Sequence, residues 1–238
     1  MRHRVAHRGY SGVAPENTLP AFAAALRGGA TIVEFDVRTT ADGVPVVIHD
    51  RTLERTTTGT GPVWEAEFDG VRRLDAGAWF SPAYAGVRVP TLAETIDLIA
   101  AADVELLLEI KPPATPEQVK VILEQVASRG LLDRTIVQSF DPAVVAMVPS
   151  EWRRGLLRLR LDPDTLSLAI SLGVAYCNPS IADFFRETDI ISSLVAAGIE
   201  IMPWTANDPA QWPALAAAGA AGLITDRVAE LTGWSFPG

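Results

Sequence analysis

Cysteine, histidine and positive charge are all scarce in this chain. A single cysteine, Cys177, among 238 residues excludes an intrachain disulfide framework and fits a reducing compartment. No apolar run approaches the ~18 residues of a membrane span, which excludes stable membrane insertion by a helix. Arg2, His3, Arg4, His7 and Arg8 interrupt the start, so the sequence predicts no secretory leader and a cytoplasmic location. Lys and Arg number 20 against 29 Asp and Glu, a net charge of −9. General nucleic-acid binding needs a basic face and is excluded; an anionic substrate would need a local cationic site. Gly-x-Ser-x-Gly, Walker and His-x-His patterns are all missing. Three histidines are too few for a zinc amidohydrolase-type site.

What is present is ample apolar material. Hydrophobic residues make up 48%, and a chain of this size buries on the order of 70% of its surface on folding. No linker or charge block divides it, so residues 1–238 are expected to form a single domain. Short apolar strands alternate with capped helices. Leu19, Phe22, Ala23 and Leu26 share a helical face that Gly28 and Gly29 terminate. Thr91 with Glu94, and Thr115 with Gln118, read as capping boxes. This alternation predicts an α/β fold, a (β/α)8 TIM barrel.

Strand candidates centre on Val5, Val33, Val47, Leu107, Val137, Leu157, Ala175, Ile201 and Leu223, one more than a barrel of eight needs. The interval between Val37 and Val44 cannot hold a crossover helix, and Asp42-Gly43 is a turn signal. The segment Val44–His49 is therefore expected to return antiparallel on Ile32–Val37, an antiparallel β-hairpin extension over about 32–49. A turn centred between Ala41 and Asp42 would set His49 opposite Glu34. Residues 50–90 carry turn chemistry and no clear helix, and read as a small insertion on the rim.

The strand Ile32–Val37 holds the strongest chemical signal. A strand covered by helices is apolar on both faces, yet Glu34 and Asp36 share one face here. Leu106–Lys111 repeats the anomaly with Glu109 and Lys111. Adjacent buried carboxylates repel unless a cation joins them. Three of them without cysteine ligands favour a divalent metal, Mg²⁺ or Ca²⁺, over zinc; a half-exposed strand with solvated acids is the bland alternative. His7 ends the first strand and His49 the hairpin, both at the rim where barrel active sites form. There they could act as general base and general acid, or only cap loops. His3 reads as structural. Arg8 suits a phosphate oxygen or a surface ion pair, Asn17 a helix cap, and Trp204 an organic group or plain packing.

Taken in order, the motifs resemble the glycerophosphodiester phosphodiesterase family. They are His7-Arg8-Gly9, Pro15-Glu16-Asn17-Thr18, Glu34-Phe35-Asp36-Val37, Ala41-Asp42-Gly43, Val47-Ile48-His49-Asp50, Arg55-Thr56-Thr57, Glu109-Ile110-Lys111, Gln138-Ser139-Phe140, Trp204-Thr205 with Asn207, and Thr225-Asp226. The resemblance spans almost the whole chain. It implies a TIM barrel with an insertion after the second histidine, catalytic His7 and His49, and metal ligands Glu34, Asp36 and Glu109. It also puts Arg8, Asn17 and Lys111 near phosphate or metal, and Phe140 and Trp204 beside the alcohol portion. Ala41, Ala221 and Val228 depart from the family pattern and leave substrate preference open.

The implied reaction is metal-dependent hydrolysis of a small-molecule glycerophosphodiester to glycerol 3-phosphate and an alcohol, with His7 and His49 sharing the base and acid roles; the sequence does not fix which is which, and the reading adopted is His7 as base and His49 as acid. Two alternatives stand beside it. One is a related lipid phosphodiesterase, of the phosphatidylinositol phospholipase C or sphingomyelinase D kind, using Trp79, Phe80 and Tyr84 at the rim. The other is a catalytically silent binding barrel. Oligomeric state is not legible.

Overall fold

A computed structural model describes residues 2–235. The strands are β1 (His3–Ala6), β2 (Ile32–Thr39), β3 (Pro45–Val47), β4 (Glu105–Ile110), β5 (Thr135–Ser139), β6 (Arg153–Arg158), β7 (Tyr176–Pro179) and β8 (Gly222–Thr225). Seven of them run parallel in the order β7-β6-β5-β4-β2-β1-β8, while β3 pairs with β2 from off this path. Helices follow the parallel strands and cover the outer face, giving an α/β fold with a curled, TIM-like parallel sheet.

Two apolar layers explain why the sheet curls. Val33, Phe35 and Val37 of β2 face outward, with Leu106 and Leu108 of β4, into a core shared with the helices Leu19–Arg27, Leu92–Ala100 and Pro116–Ala127. Phe22 meets Phe35 edge-to-face at 5.9 Å between ring centroids, a contact worth about 0.5–1.5 kcal/mol beyond area burial. Val5, Ile32, Leu107, Ile136, Tyr176, Met202 and Ile224 fill the concave side. One strand thus sends alternate residues into two cores, and the acids at 34, 36 and 109 belong to the concave set.

The caps act as the sequence predicts. Thr91 and Glu94 form both bonds of a capping box, and so do Thr115 and Gln118. Thr18 caps Leu19–Arg27, and Gly29 leaves that helix at φ +79°.

Three expectations need correction. The segment around Ile201 is not a regular strand. Its backbone bonds to β7 through Glu200 and Trp204 and to β8 through Ile201 and Pro203. Between these, the Met202 N–H goes to the Asn178 side chain at 3.0 Å, and Pro203 has no N–H to give. The hairpin register is also displaced. Val37 faces Val47 and Thr39 faces Pro45, so Glu34 is not opposite His49. The turn is centred on Asp42: the Thr40 N–H reaches the Val44 carbonyl at 3.1 Å, and Gly43 takes φ +84°. That is the three-residue hairpin with glycine in the left-handed region. Lastly, residues 50–90 do contain a short helix, Phe68–Arg73, which buries Val71 against Val46, Ile48, Leu53, Val63, Ala76 and Val89. Arg72 on this helix grips Glu94 through Nη2 and Nη1 at 2.5 and 2.8 Å, tying the segment to the main body.

Candidate active site

The candidate side chains gather at the C-terminal ends of the parallel strands. Glu34 and Asp36 come from β2 and Glu109 from β4, and Asp36 is the register partner of Glu109. One carboxylate oxygen from each lies within 4.8 Å of the others. All three side chains are buried. Lys111 Nζ sits 2.9 Å from Asp36 Oδ1 and 2.6 Å from Glu109 Oε1, the second an ion-pair contact without hydrogen-bond alignment.

The loop after β1 closes over this group. Arg8 gives its backbone N–H to Glu34 Oε2 at 2.8 Å, and its Nε lies 3.3 Å from Asp36 Oδ2. Asn17 holds Asp36 at two points: Nδ2 donates to Oδ2 at 2.7 Å, and Oδ1 accepts from the Asp36 N–H at 3.2 Å. Arg8 and Asn17 both sit at positive φ, 55° and 57°, a conformation costing a non-glycine residue about 1–3 kcal/mol. The surrounding bonds hold it, including the Asn17 N–H to the Arg8 carbonyl at 3.0 Å. Between them Gly9, at φ +80°, would place a Cβ within 2.7–2.9 Å of Ala21, so the loop reaches the site only because that position lacks a side chain.

Charge is unevenly shared. Burial pushes Glu34 well above the usual carboxylate range, and Asp36 and Glu109 push the same way against Arg8. Burial and Asp36 raise Glu109 to about 7 despite Lys111. For Asp36 burial also acts upward, but Lys111, Arg8 and His49 outweigh it and hold the group ionised. Lys111 and Arg8 thus satisfy Asp36 and leave the two glutamates short of positive charge. An all-oxygen donor set with surplus negative charge fits a hard divalent cation.

Both histidines are anchored through Nδ1. His7 lies 2.6 Å from Asp226 Oδ1, and Asp226 also accepts from Ser11 Oγ at 2.9 Å and from Asn207 Nδ2 at 2.6 Å. His49 lies 2.6 Å from Asp50 Oδ1, and Arg55 donates twice to that carboxylate. Each ring therefore keeps Nε2 for proton exchange. Although the ladder register differs from expectation, His49 still reaches the site. The ladder ends at Val47, and beyond the Ile48 N–H bond to the Asp36 carbonyl the strand alternation ceases to apply. His49 feels Asp36, Lys111 and Arg8, and shares a small crevice with Glu16 and Asn17. Burial, then Lys111 and Arg8, lower it below the usual imidazole value against Asp36 and Asp50.

Phe140 and Trp204 form the remaining wall. Their rings meet edge-to-face at 5.5 Å, and Lys111 Nζ stands 5.8 Å over the Phe140 ring. Trp204 Nε1 donates to the Asn178 carbonyl at 2.8 Å, and the Asn178 amide donates to Gln138 Oε1 at 2.9 Å. All ten predicted site residues thus surround one end of the curled sheet. Sequence reading missed the roles of Asp226, Asp50, Ser11 and Asn207. An acid directly after a strand end, as at Asp226, and an acid directly after a rim histidine, as at Asp50, were the available signals.

One end of the curled sheet thus brings together two cations, three clustered carboxylates and two imidazoles, each imidazole held by a carboxylate. The glycerophosphoryl diester phosphodiesterase family matches residues 7–230. A glycerophosphodiester phosphodiesterase of Caldanaerobacter subterraneus is 32% identical over 228 residues, covering 93% of each chain. Two solved structures are similar throughout. An Oleispira antarctica phosphodiesterase in complex with the product sn-glycerol-3-phosphate has a TM-score of 0.90 and 29% identity, over 96% of this chain and 94% of that one. An Agrobacterium tumefaciens glycerophosphodiester phosphodiesterase has a TM-score of 0.83 and 32% identity, over 96% and 98%. The chain belongs to the glycerophosphoryl diester phosphodiesterase family and is a phosphoric diester hydrolase. A catalytically silent barrel is thereby set aside. Among the described residues, no helix is long and apolar enough to cross a membrane.

Proposed function

We propose that this enzyme hydrolyses glycerophosphodiesters to glycerol 3-phosphate and a free alcohol, with two histidines exchanging protons beside a divalent metal. The observation that carries this reading is the pair of imidazoles, each with Nδ1 fixed by a carboxylate, flanking three clustered acids and two cations. Glu34, Asp36 and Glu109 would hold Mg²⁺ or Ca²⁺, which when bound supplies charge neutralisation at the phosphate. Arg8 and Lys111 bind and orient the anionic diester, and Asn17 keeps Asp36 in place. Phe140 and Trp204 exclude water from the alcohol side.

The histidine environments differ, and the difference favours roles opposite to those the sequence suggested. His49 is lowered by burial and faces Lys111 and Arg8, and its partner Asp50 shares its charge with Arg55. A neutral imidazole of this kind takes a proton, so His49 Nε2 is the base toward the attacking water or the neighbouring glycerol hydroxyl. His7 has Asp226, which is backed by the neutral donors Ser11 and Asn207. Among the described residues that carboxylate meets no competing Lys or Arg, the arrangement of a proton donor. His7 Nε2 therefore protonates the leaving alkoxide.

The whole chain acts as a single domain on this reading. The curled sheet is a (β/α)8 barrel whose remaining place is taken by Glu200–Trp204, with the β2–β3 hairpin as an extension and residues 50–90 as a rim insertion. A panel of glycerophosphodiesters assayed with Mg²⁺, Ca²⁺ and excess chelator tests the function. Release of glycerol 3-phosphate that chelation abolishes is expected. Release of only a phosphorylated alcohol, or full activity in chelator with no metal retained, would sink it. One observation favours a lipid-facing variant: Trp79, exposed at 43%, meets Phe80 edge-to-face, and Phe80 meets Tyr84 the same way, with the Tyr84 hydroxyl donating to the Val13 carbonyl. Co-sedimentation with vesicles would select that reading.

A further inference from the structure

The proposed base and the phosphate-binding arginine sit on separate segments. Arg8 follows β1, and His49 lies beyond the end of the β2–β3 ladder. Arg55, three-dimensionally between them, is the side chain that spans the interval. Its Nε donates to Asp50 Oδ2 at 2.6 Å and its Nη2 to Asp50 Oδ1 at 2.9 Å. The same guanidinium meets Glu16 with Nη1 to Oε2 and Nη2 to Oε1, both at 2.8 Å. Asp50 holds His49 Nδ1 at 2.6 Å, and Glu16 Oε1 accepts from Arg8 Nη1 at 2.7 Å. An unbroken line of charged bonds therefore runs from His49 through Asp50, Arg55 and Glu16 to Arg8.

We infer that Arg55 is a positioning residue: its forked guanidinium clamps Asp50 to Glu16 and so fixes the His49 ring and the Arg8 guanidinium in mutual register. Its side-chain bonds go to Asp50 and Glu16, so it acts through them, and the inference rests on the roles proposed for His49 and Arg8. Three features carry it. Two carboxylates gripped in parallel by one planar cation match the bidentate geometry of arginine, which a lysine ammonium cannot reproduce. The two segments it joins are remote in sequence, since Glu16 lies on the loop after β1 and Asp50 beyond the end of the β2–β3 ladder. Finally, the clamp sets how much of the Asp50 charge reaches the imidazole. Around His49 stand Asp50 on its own segment, Asp36 from β2, and Lys111 and Arg8 from beyond β4 and β1, while Arg38 bonds only its carbonyl. Removing the Arg55 cation leaves the Asp50 carboxylate uncompensated and favours the imidazolium.

Only three histidines are present, so isotope-labelled imidazoles can be titrated individually by NMR in the full chain, with His49→Gln assigning the signal. Arg55→Gln should raise the His49 midpoint by about one pH unit while leaving that of the remote His3 in place. Its kcat should fall roughly tenfold, and the acidic limb of kcat/KM should move up with the midpoint. Arg55→Lys should recover the midpoint better than the rate, because it restores charge without the fork. Asp50→Asn should move His49 the opposite way, and circular dichroism checks that each variant is folded. A His49 midpoint that is unchanged or lower in folded Arg55→Gln overturns the inference. Full activity in His49→Ala would instead overturn the catalytic reading, while the NMR result would still judge the clamp.

Discussion

Replacing Asp226 by asparagine isolates what a carboxylate does for His7. The substitution keeps shape and volume. In the native site three donors converge on the two oxygens of Asp226: His7 Nδ1 and Ser11 Oγ on Oδ1, and Asn207 Nδ2 on Oδ2. An amide offers one oxygen and one NH₂ group. If the oxygen faces His7, the NH₂ opposes the Asn207 amide. If the NH₂ faces His7, the ring must accept at Nδ1 and carry its proton on Nε2 alone, with no anion to support an imidazolium. Both outcomes impair the proposed proton donor, and kcat should fall by roughly 10²–10⁴ with KM little changed. A double variant with His7→Ala should be no slower than His7→Ala alone, because the two groups act as one unit.

Stability offers an independent measure. Burial pushes the Asp226 carboxyl up, but the bonds from His7, Asn207 and Ser11 outweigh it and hold the group at about 2 against an ordinary 3.8. At about 1.4 kcal/mol per pH unit this is worth roughly 2.5 kcal/mol. The folded group ionises below the unfolded one. Its contribution is therefore fully present above the unfolded value and disappears as pH falls from about 4 toward about 2. Asp226→Asn should lose this stability at pH 7 and show a flatter decline in acid, measured by urea denaturation across pH. A kcat within about threefold of the parent enzyme, or an unaltered acid profile, would refute the reasoning.

The other predictions concern metal, base and wall. Glu34→Gln or Glu109→Gln should weaken Mg²⁺ or Ca²⁺ binding about tenfold or more by calorimetry and lower turnover with it, since each replaces one of three convergent carboxylates by a neutral amide. Adding the metal at about 100 times its Kd should stabilise the parent protein by about 2.7 kcal/mol, and EDTA should reverse this; a melting curve indifferent to metal would exclude the site. His49→Ala should cost roughly 10²–10⁴ in kcat while metal affinity holds. Trp204→Ala should mainly raise KM, because the indole bonds a backbone carbonyl and meets Phe140 edge-to-face but carries no exchangeable catalytic proton near neutrality. A loss confined to kcat would contradict that role.

How much of this was legible in the sequence depends on whether a feature is set locally or by tertiary contact. The parallel strands announce themselves because both faces are buried, so β2 and β4 read as apolar runs in which Glu34, Asp36 and Glu109 stand out as anomalies. Capping boxes are local too, and Thr91 and Thr115 could be placed from spacing alone. The helix Phe68–Arg73 could not. At six residues with one fully buried apolar position, Val71, it leaves too short a period to detect and exists through its packing beneath β3 and the Arg72–Glu94 pair. The strand near Ile201 failed for a related reason: its apolar pattern is genuine, but Pro203 and the Asn178 side chain replace the ladder bonds that define a strand.

The hairpin shows how a site residue can be found through a faulty intermediate. Asp42-Gly43 correctly marked a reversal, yet sequence does not distinguish a two-residue turn from the three-residue one that centres on Asp42. A one-residue displacement inverts every facing in a continued ladder, and a strict continuation would have turned His49 away from Asp36. The ladder instead stops at Val47, and side-chain bonds govern the chain beyond it: Arg38 to the His49 carbonyl, Asp50 to the ring, and Arg55 to Asp50. These bonds join segments remote in sequence to an extent no periodicity encodes, since Glu16 and Arg55 meet across 39 positions. The acids and imidazoles of the site are therefore legible one by one. The partners that orient them emerge only when the loops after β1, β3 and β8 are folded against one another.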